Sequence, residues 1–507
     1  MQLEHRDWNC FAILRPVKNA ASLSQEAKSG LDPWVRADLP VPPTPKGLGW
    51  LGVVGPGIIV LGVSIGSGEF LLGPAVFVRH GLSVLWVTLV AIMLQTIFNL
   101  ELMRYTLATG EPVFTGFMRT RPSSTLWAWV YAVLYFLQVG WPAWAGTAAG
   151  AIFFLFERRM ATPADANVVY GIGIATFLGC IAILLVGRRI VRTLEMLNWV
   201  LVVVGLGSFL ALALLYVPAP TWIGALTGLV GFSSAQGSFN FLPEGTDFFL
   251  LGALVAYSGC GGVVNITLSN WARDKGYGMG QRTGYIPAAI GGQKVSLAHT
   301  GFIFTPDSEL MKRWRGWWRI VRADQVGIFF CGAVLGMTLP ALLYVTFLPG
   351  GTDLQGLGIA AALASSVGES IGPMTAGAIA FLGAWVLFKT QLDNLEAMVR
   401  SITDILWTGS HHVRGWRGGD VRAVYYGVLA AVVLWGIIAL RLAQPFFLLQ
   451  VGANVAGVVF IIASIHLLYI NTRLLPAELR PPLWRRVALV VMALFYAAFF
   501  LLSVGVI

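Results

Sequence analysis

GPGIIVLGVSIGSGEFLLGP, residues 55–74, and FLLGALVAYSGCGGVVNITL, residues 249–268, are two apolar stretches interrupted in the same way. The first is broken by Gly66-Ser67-Gly68 with Glu69 next, the second by Gly259-Cys260-Gly261. Glycine is unfavourable inside a helix, because it exposes backbone and loses chain entropy on ordering. In a bilayer, freed backbone groups persist only where protein or a water-filled cavity satisfies them. Small residues can also serve merely to let neighbouring helices pack closely. A matched pair of breaks, one beside a carboxylate, points instead to a binding site near the bilayer midplane.

Composition sets the class. Of 507 residues, 57% are apolar and 11% charged, with a mean hydropathy of +0.74. Repeated apolar runs of about 20 residues, each able to cross a core of about 30 Å, make this an all-α polytopic membrane protein. Eleven spans are predicted at roughly 51–72, 83–106, 126–155, 167–186, 196–217, 248–269, 325–347, 374–408, 421–440, 446–470 and 485–506. With the N-terminus in the cytosol, 27 of the 34 Lys and Arg fall on the cytosolic side and 4 on the other. That asymmetry predicts an integral inner (plasma) membrane protein with a cytosolic N-terminus and an external C-terminus. The net charge of +10 is then topological, with some attraction to anionic lipid, and calls for no nucleic acid. Cys10, Cys180, Cys260 and Cys331 show neither a disulfide framework nor zinc spacing. No cleavable signal peptide is visible.

Five spans plus five, with breaks in the first and sixth, is the arithmetic of an inverted repeat, because an odd number of helices per half turns the second copy over. The expected organisation is a cytosolic tail at 1–49, a first repeat at 50–217, an external loop at 218–247, a second repeat at 248–470 and a cytosolic loop with the final helix at 471–507. The tail ends in LPVPPTPKG and reads as flexible or extended. The second repeat carries a cytosolic insertion at 270–324. Its run GYGMGQRTGYIPAAIGG lacks the strand and Gly-Lys-Ser/Thr of a nucleotide loop. Its stretch ELMKRWRGWWRIVRAD, with Trp314, Trp317 and Trp318 among arginines, is expected to be a short interfacial helix that anchors the chain. The segments 218–247 and 348–373 contain no Lys or Arg and are candidates for ordered external caps or gates.

Ionisable residues inside spans are functional candidates by default. Glu69 could supply a carboxylate to a hard cation or a proton while broken backbone supplies carbonyls. It could equally cap the second half-helix. In span eight, Lys389, Asp393, Glu396 and Arg400 fall at i, i+4, i+7 and i+11 on one face, spaced for Lys389–Asp393 and Glu396–Arg400 pairs. Such a stripe suits a relay or gating network facing the interior or an aqueous vestibule. Residues 374–408 make about 52 Å of helix at 1.5 Å per residue, so one end protrudes and part of the stripe could simply be solvated. Glu101 and Arg104 are expected to pair or snorkel. Gln138, Asn265, Gln450 and Asn454 are expected to hydrogen-bond between helices, and Asn454 is also a candidate site residue.

The run GPGIIVLGVSIGSGEFLLGPAVFVRHGLSVLWVTLVAIMLQ resembles the first two helices of NRAMP divalent-metal transporters. QVGANVAGVVFIIASIHLLYINTRLLPAELRPP looks like that family's tenth helix and following loop. The resemblance implies the leucine-transporter fold, with helices one and six unwound around a central site. It also places departures on the chemistry. The family's Asp-Pro-Gly-Asn aligns with Gly66, Ser67, Gly68 and Glu69, and its Met-Pro-His aligns with Ala256, Tyr257 and Ser258. The thioether that favours transition metals is absent, and so is the histidine linked to proton movement.

These readings converge on a secondary transporter, not an enzyme. No nucleophile–base or metal-ligand constellation appears in the spans. Gly66, Ser67, Gly68, Glu69, Ala256, Tyr257, Ser258, Gly259, Cys260 and Asn454 would line the site. Lys389, Asp393 and Glu396 would relay or gate. The expected substrate is a divalent metal cation such as magnesium or manganese held by Glu69, or a transition metal on a site rebuilt with Cys260; the alternative is a small organic solute such as an amino acid or amine. A non-transporting sensor is a further possibility. No cofactor other than such a cation is implied, and the partners expected are membrane lipid and the small solute itself.

Overall fold

A computed structural model describes residues 31–185, 190–284, 300–352, 354, 358–416 and 420–505. The tail through residue 30, including Cys10, and the second half of the glycine-rich run in the insertion lie outside the described residues.

Among the described residues, eleven helices are long and apolar enough to cross a membrane: Pro56–His80, Leu82–Thr109, Ser124–Glu157, Pro163–Leu185, Leu194–Tyr216, Phe248–Lys275, Ser308–Phe347, Pro373–Gly409, Val421–Ala439, Pro445–Arg473 and Leu483–Ser503. They are called spans one to eleven. Burial orders them in space. The most apolar 18 residues of span one are 100% buried and those of span six 94%, against 22% in span five and 28% in span eleven. Spans one and six therefore form the axis of the bundle, and spans five and eleven present most of their surface to lipid.

The two central spans depart from regular helix in different ways. Span one is α-helical over Pro56–Ser64, π-helical over Ile65–Leu72 and α-helical again over Gly73–His80. The glycines were expected to unwind it. Instead the chain widens its turn, with Gly73 N–H donating to the Gly68 carbonyl five residues back. A π turn satisfies the backbone within the helix where an open break would need outside partners. Span six does break. Its first half ends at Tyr257 and its second starts at Gly262, with φ of +92° at Gly261 and +46° at Gly262. Side chains rarely adopt these values, so the glycines are required there.

Span seven also differs from expectation. The tryptophan-rich segment is no separate interfacial helix, since Ser308–Arg322 runs through a π-helical Ala323–Phe330 into Cys331–Phe347. Trp314 and Trp317 are buried in protein. Trp317 Nε1 donates to the Pro40 carbonyl at 2.9 Å and Arg313 Nη1 to Leu39 at 3.0 Å. The chain around residues 31–42 thus lies over this helix, and Val35–Arg36 pairs in parallel with Phe302–Ile303. Trp318 is held under two guanidinium groups, Arg104 at 4.7 Å and Arg485 at 5.0 Å.

Both segments without Lys or Arg contain ordered structure. The first carries the helix Ala219–Gly228 and a hairpin, Phe232–Ser233 with Ser238–Phe239. The second carries the helix Ile359–Ser370, whose first carbonyl accepts from Tyr344 Oη at 3.1 Å.

Candidate functional site

The irregular segments of spans one and six lie back to back. A methyl group at Gly68 would strike the Tyr257 carbonyl and the Ser258 nitrogen, so only glycine allows this approach. Neighbouring spans satisfy the backbone freed at the break. Gln138 of span three donates through Nε2 to the Gly261 carbonyl at 2.9 Å and accepts through Oε1 from Val263 N–H at 2.9 Å. Gln95 of span two donates through Nε2 to the Ala256 carbonyl at 3.2 Å and to Tyr496 Oη at 2.9 Å. Its Oε1 lies against Gly259 with no hydrogen-bond partner. On the span-one side, Ser67 Oγ accepts from Trp144 Nε1 at 3.1 Å, and the Trp144 ring stacks with Tyr257 at 6.2 Å between centroids. Ser67, Ser258 and Cys260 are all buried.

The fold thus gathers Ser67, Gly68, Ala256, Tyr257, Ser258, Gly259 and Cys260 in one place. Gly66 is turned to Thr390 of span eight. Glu69 points elsewhere. Its Oε1 accepts from Ser64 Oγ at 2.5 Å, and its Oε2 abuts Gly336 of span seven with no hydrogen-bond partner. Asn454 is also away from the break, with Nδ2 donating at 3.0 Å to the carbonyls of Phe249 and Gln450 beside the start of span six. Among the described residues, no group of three or more His, Cys, Asp or Glu is placed to hold a metal ion. The sequence reading missed Gln95 and Trp144. An amide in the middle of an apolar span was a usable signal for Gln95; nothing marks Trp144 among 19 tryptophans.

The charged face of span eight divides into two buried assemblies. In the first, Lys389 Nζ donates to Asp393 and to Asn198 Oδ1 of span five, and Asn198 Nδ2 donates to both Asp393 oxygens at 3.3–3.4 Å. This triad packs on Gly62 of span one. In the second, Glu396 accepts from Arg400 and from Trp271 Nε1 at 3.0 Å. Arg400 also bonds Asp274, which accepts from Arg273 Nε at 2.7 Å. Arg273 in turn holds Asp404 at 3.0 and 3.1 Å, and Asn270 donates to Asp404 as well. This chain of ion pairs joins the second half of span six to span eight along the protruding end of the stripe. The charged side chains of this assembly are buried between the two helices. Burial is tolerable because each charge meets an opposite charge and further donors.

The start of span one is tied down from three sides. Asp324 in the π turn of span seven accepts from Gly55 N–H at 2.9 Å and Gly57 N–H at 2.8 Å, acting as a cap supplied from another helix. Lys275 and Glu195 pair beside it at 2.6 Å. Tyr277 Oη donates to the Val53 carbonyl at 2.8 Å.

No family model and no curated protein sequence matches the chain. Solved structures do. The manganese transporter of Eremococcus coleocola, in complex with an aromatic bis-isothiourea substituted compound, matches with a TM-score of 0.61 at 16% identity, over 95% of this chain and 90% of that one. A mutant of the same transporter matches at 0.62 and 15%, over 92% and 89%. Mhp1, a nucleobase-cation-symport-1 family transporter with bromovinylhydantoin bound, matches at 0.47 and 12%, over 89% and 91%. At these identities the likeness is one of fold. The chain has the leucine-transporter fold, two five-helix repeats with irregular helices one and six, and an eleventh helix.

Proposed function

We propose that this chain is a secondary active transporter working by alternating access, and that its substrate is a small polar organic solute bound where span one meets the break of span six. The observation that carries this is the chemistry of the junction. It offers main-chain groups, the spare Oε1 of Gln95, hydroxyls from Ser67 and Ser258, and the stacked Trp144–Tyr257 pair. Neutral donors and acceptors with an aromatic wall suit an amino acid, an amine or a flat heterocycle. Lys389 and Asp393 would carry the coupling ion or gate the path, since their bonds to Asn198 tie spans five and eight where both pack on Gly62 of span one. The ion-pair chain from Glu396 to Asp404 would hold the second half of span six in register with span eight. The N-terminus would be cytosolic and the C-terminus external, a reading supported by the charge asymmetry.

A second reading, a divalent cation such as manganese or magnesium, draws support from the manganese transporter of the same fold and from the unpartnered Oε2 of Glu69. One experiment separates the two. Melting of the purified protein is followed against amino acids, amines, nucleobases and the chlorides of magnesium, manganese, calcium and zinc, because a ligand of the native state must raise the midpoint. The expected result is a shift with an organic solute that survives Glu69→Gln and is lost in Gln95→Leu, together with uptake of that solute into proteoliposomes. A shift with a divalent cation alone, abolished by Glu69→Gln, would replace this reading with the metal. Stabilisation without uptake would make the protein a sensor.

A further inference from the structure

We propose that the protein holds an anionic phospholipid in a groove between the end of span ten and the start of span eleven. The groove has a volume of about 570 Å³. Arg473, Arg480 and Arg486 line it at one end and Val487, Val490 and Val491 at the other. Arg473 is the last residue of span ten, and Arg486 lies in the first turn of span eleven. The three guanidinium groups therefore sit where the chain leaves the hydrocarbon, at the depth of lipid headgroups. The valines descend from there along an exposed face of span eleven. Charge at the water boundary followed by apolar wall along the membrane normal is the profile of one phospholipid, with its phosphodiester among the arginines and an acyl chain against the valines.

The state of the arginines supports an anionic occupant. Arg480 uses Nε on the Leu475 carbonyl at 3.1 Å and Arg486 uses Nε on Pro481 at 2.7 Å. Among the described residues, neither they nor Arg473 form an ion pair, and no acidic residue lines the groove. The neighbouring Arg485 shows the contrast, since it turns inward to Glu101 at 3.1 Å and to Trp318. Three cationic groups brought together without a counter-charge repel one another, and a phosphodiester relieves that repulsion. Trp484, exposed at the head of span eleven, fits the same boundary level.

The test uses the full chain, delipidated in detergent and titrated with phosphatidylglycerol or phosphatidylcholine, with bound lipid counted by native mass spectrometry. The expected result is one retained phosphatidylglycerol, preferred over phosphatidylcholine and not displaced by millimolar inorganic phosphate. Affinity should fall about fivefold per arginine in R473Q, R480Q and R486Q. R473Q is the guard against misfolding, because that side chain makes no bond within the described protein. V487A/V490A should weaken lipid retention and leave the headgroup preference intact. Equal retention of the two lipids, or R473Q indistinguishable from wild type, overturns the proposal. Displacement by inorganic phosphate would mean a free-anion site and overturns the lipid assignment.

Discussion

At the residue scale, two glycines and one buried pair carry sharp expectations. Gly68→Ala places a methyl group against the Tyr257 carbonyl, a backbone atom that cannot swing aside. Overpacking of this kind costs about 1–3 kcal/mol, so the variant is expected to melt earlier and to lose ligand-induced stabilisation. Gly261→Ala forces a side chain to φ +92° and is expected to cost about 1–3 kcal/mol in an equilibrium unfolding measurement. Lys389→Met leaves Asp393 buried with only Asn198 for company. Removing one partner of a buried pair costs about 3–5 kcal/mol. The double variant Lys389→Met/Asp393→Leu is expected to recover most of that stability but not transport, and a double loss equal to the sum of the two single losses would mean the charges do not interact. The pairing itself was legible in the spacing along span eight. The side Glu69 faces was not. Each residue of an α-helix advances about 100° around the axis, and the π turn changes that count just before the carboxylate.

At the element scale, helices one and six show what glycine does and does not specify. Both spans carry the same Gly-x-Gly signature, yet one widens into a π turn and the other opens. The difference lies in outside partners. Span six has Gln138 and Gln95 to satisfy its freed backbone, while span one keeps its hydrogen bonds within the helix. Gln138→Leu should therefore destabilise by about 1–3 kcal/mol, the desolvation cost of leaving Gly261 and Val263 unpaired. Asp324→Ala removes the cap on span one. It is expected to lower stability by about 0.5–2 kcal/mol in chemical unfolding and to loosen the start of that helix, seen as faster hydrogen exchange at Gly55 and Gly57. Helix positions and lengths were readable from apolar runs to within a few residues. The fusion of the tryptophan-rich helix into span seven was not, because its amphipathic face is covered by residues 31–42, and interfacial and protein-buried tryptophans look alike in sequence.

At the scale of the whole molecule, the segment outside the spans offers a pH handle. Burial pushes the Glu111 carboxyl up, but the Arg119 guanidinium, with hydrogen bonds from Arg119 and Tyr105, outweighs it and holds the carboxyl below its ordinary 4.5. A depressed folded value means the contribution is whole above pH 4.5 and is lost as the pH falls below it toward the folded value. Glu111 also accepts from Gly301 N–H at 2.8 Å, and Arg119 donates to the Asp32 carbonyl at 2.9 Å, so the same pair pins residues 31–42 to the bundle. Wild type is expected to lose stability between about pH 5 and 3 more steeply than Glu111→Gln; parallel curves would remove this pair from the account. The amino-acid sequence by itself determined the eleven spans, the central place of the first and sixth, and the charged face of the eighth. Hydropathy, glycine strain and helical period act over a few residues and can be read along the chain. Tertiary structure decided that Glu69 turns to span seven, that Gln95 and Trp144 join the junction, and that Asn198 completes the Lys389–Asp393 pair from 191 residues away. Those outcomes depend on how helices rotate and approach one another, which is set by the packing of all their faces at once.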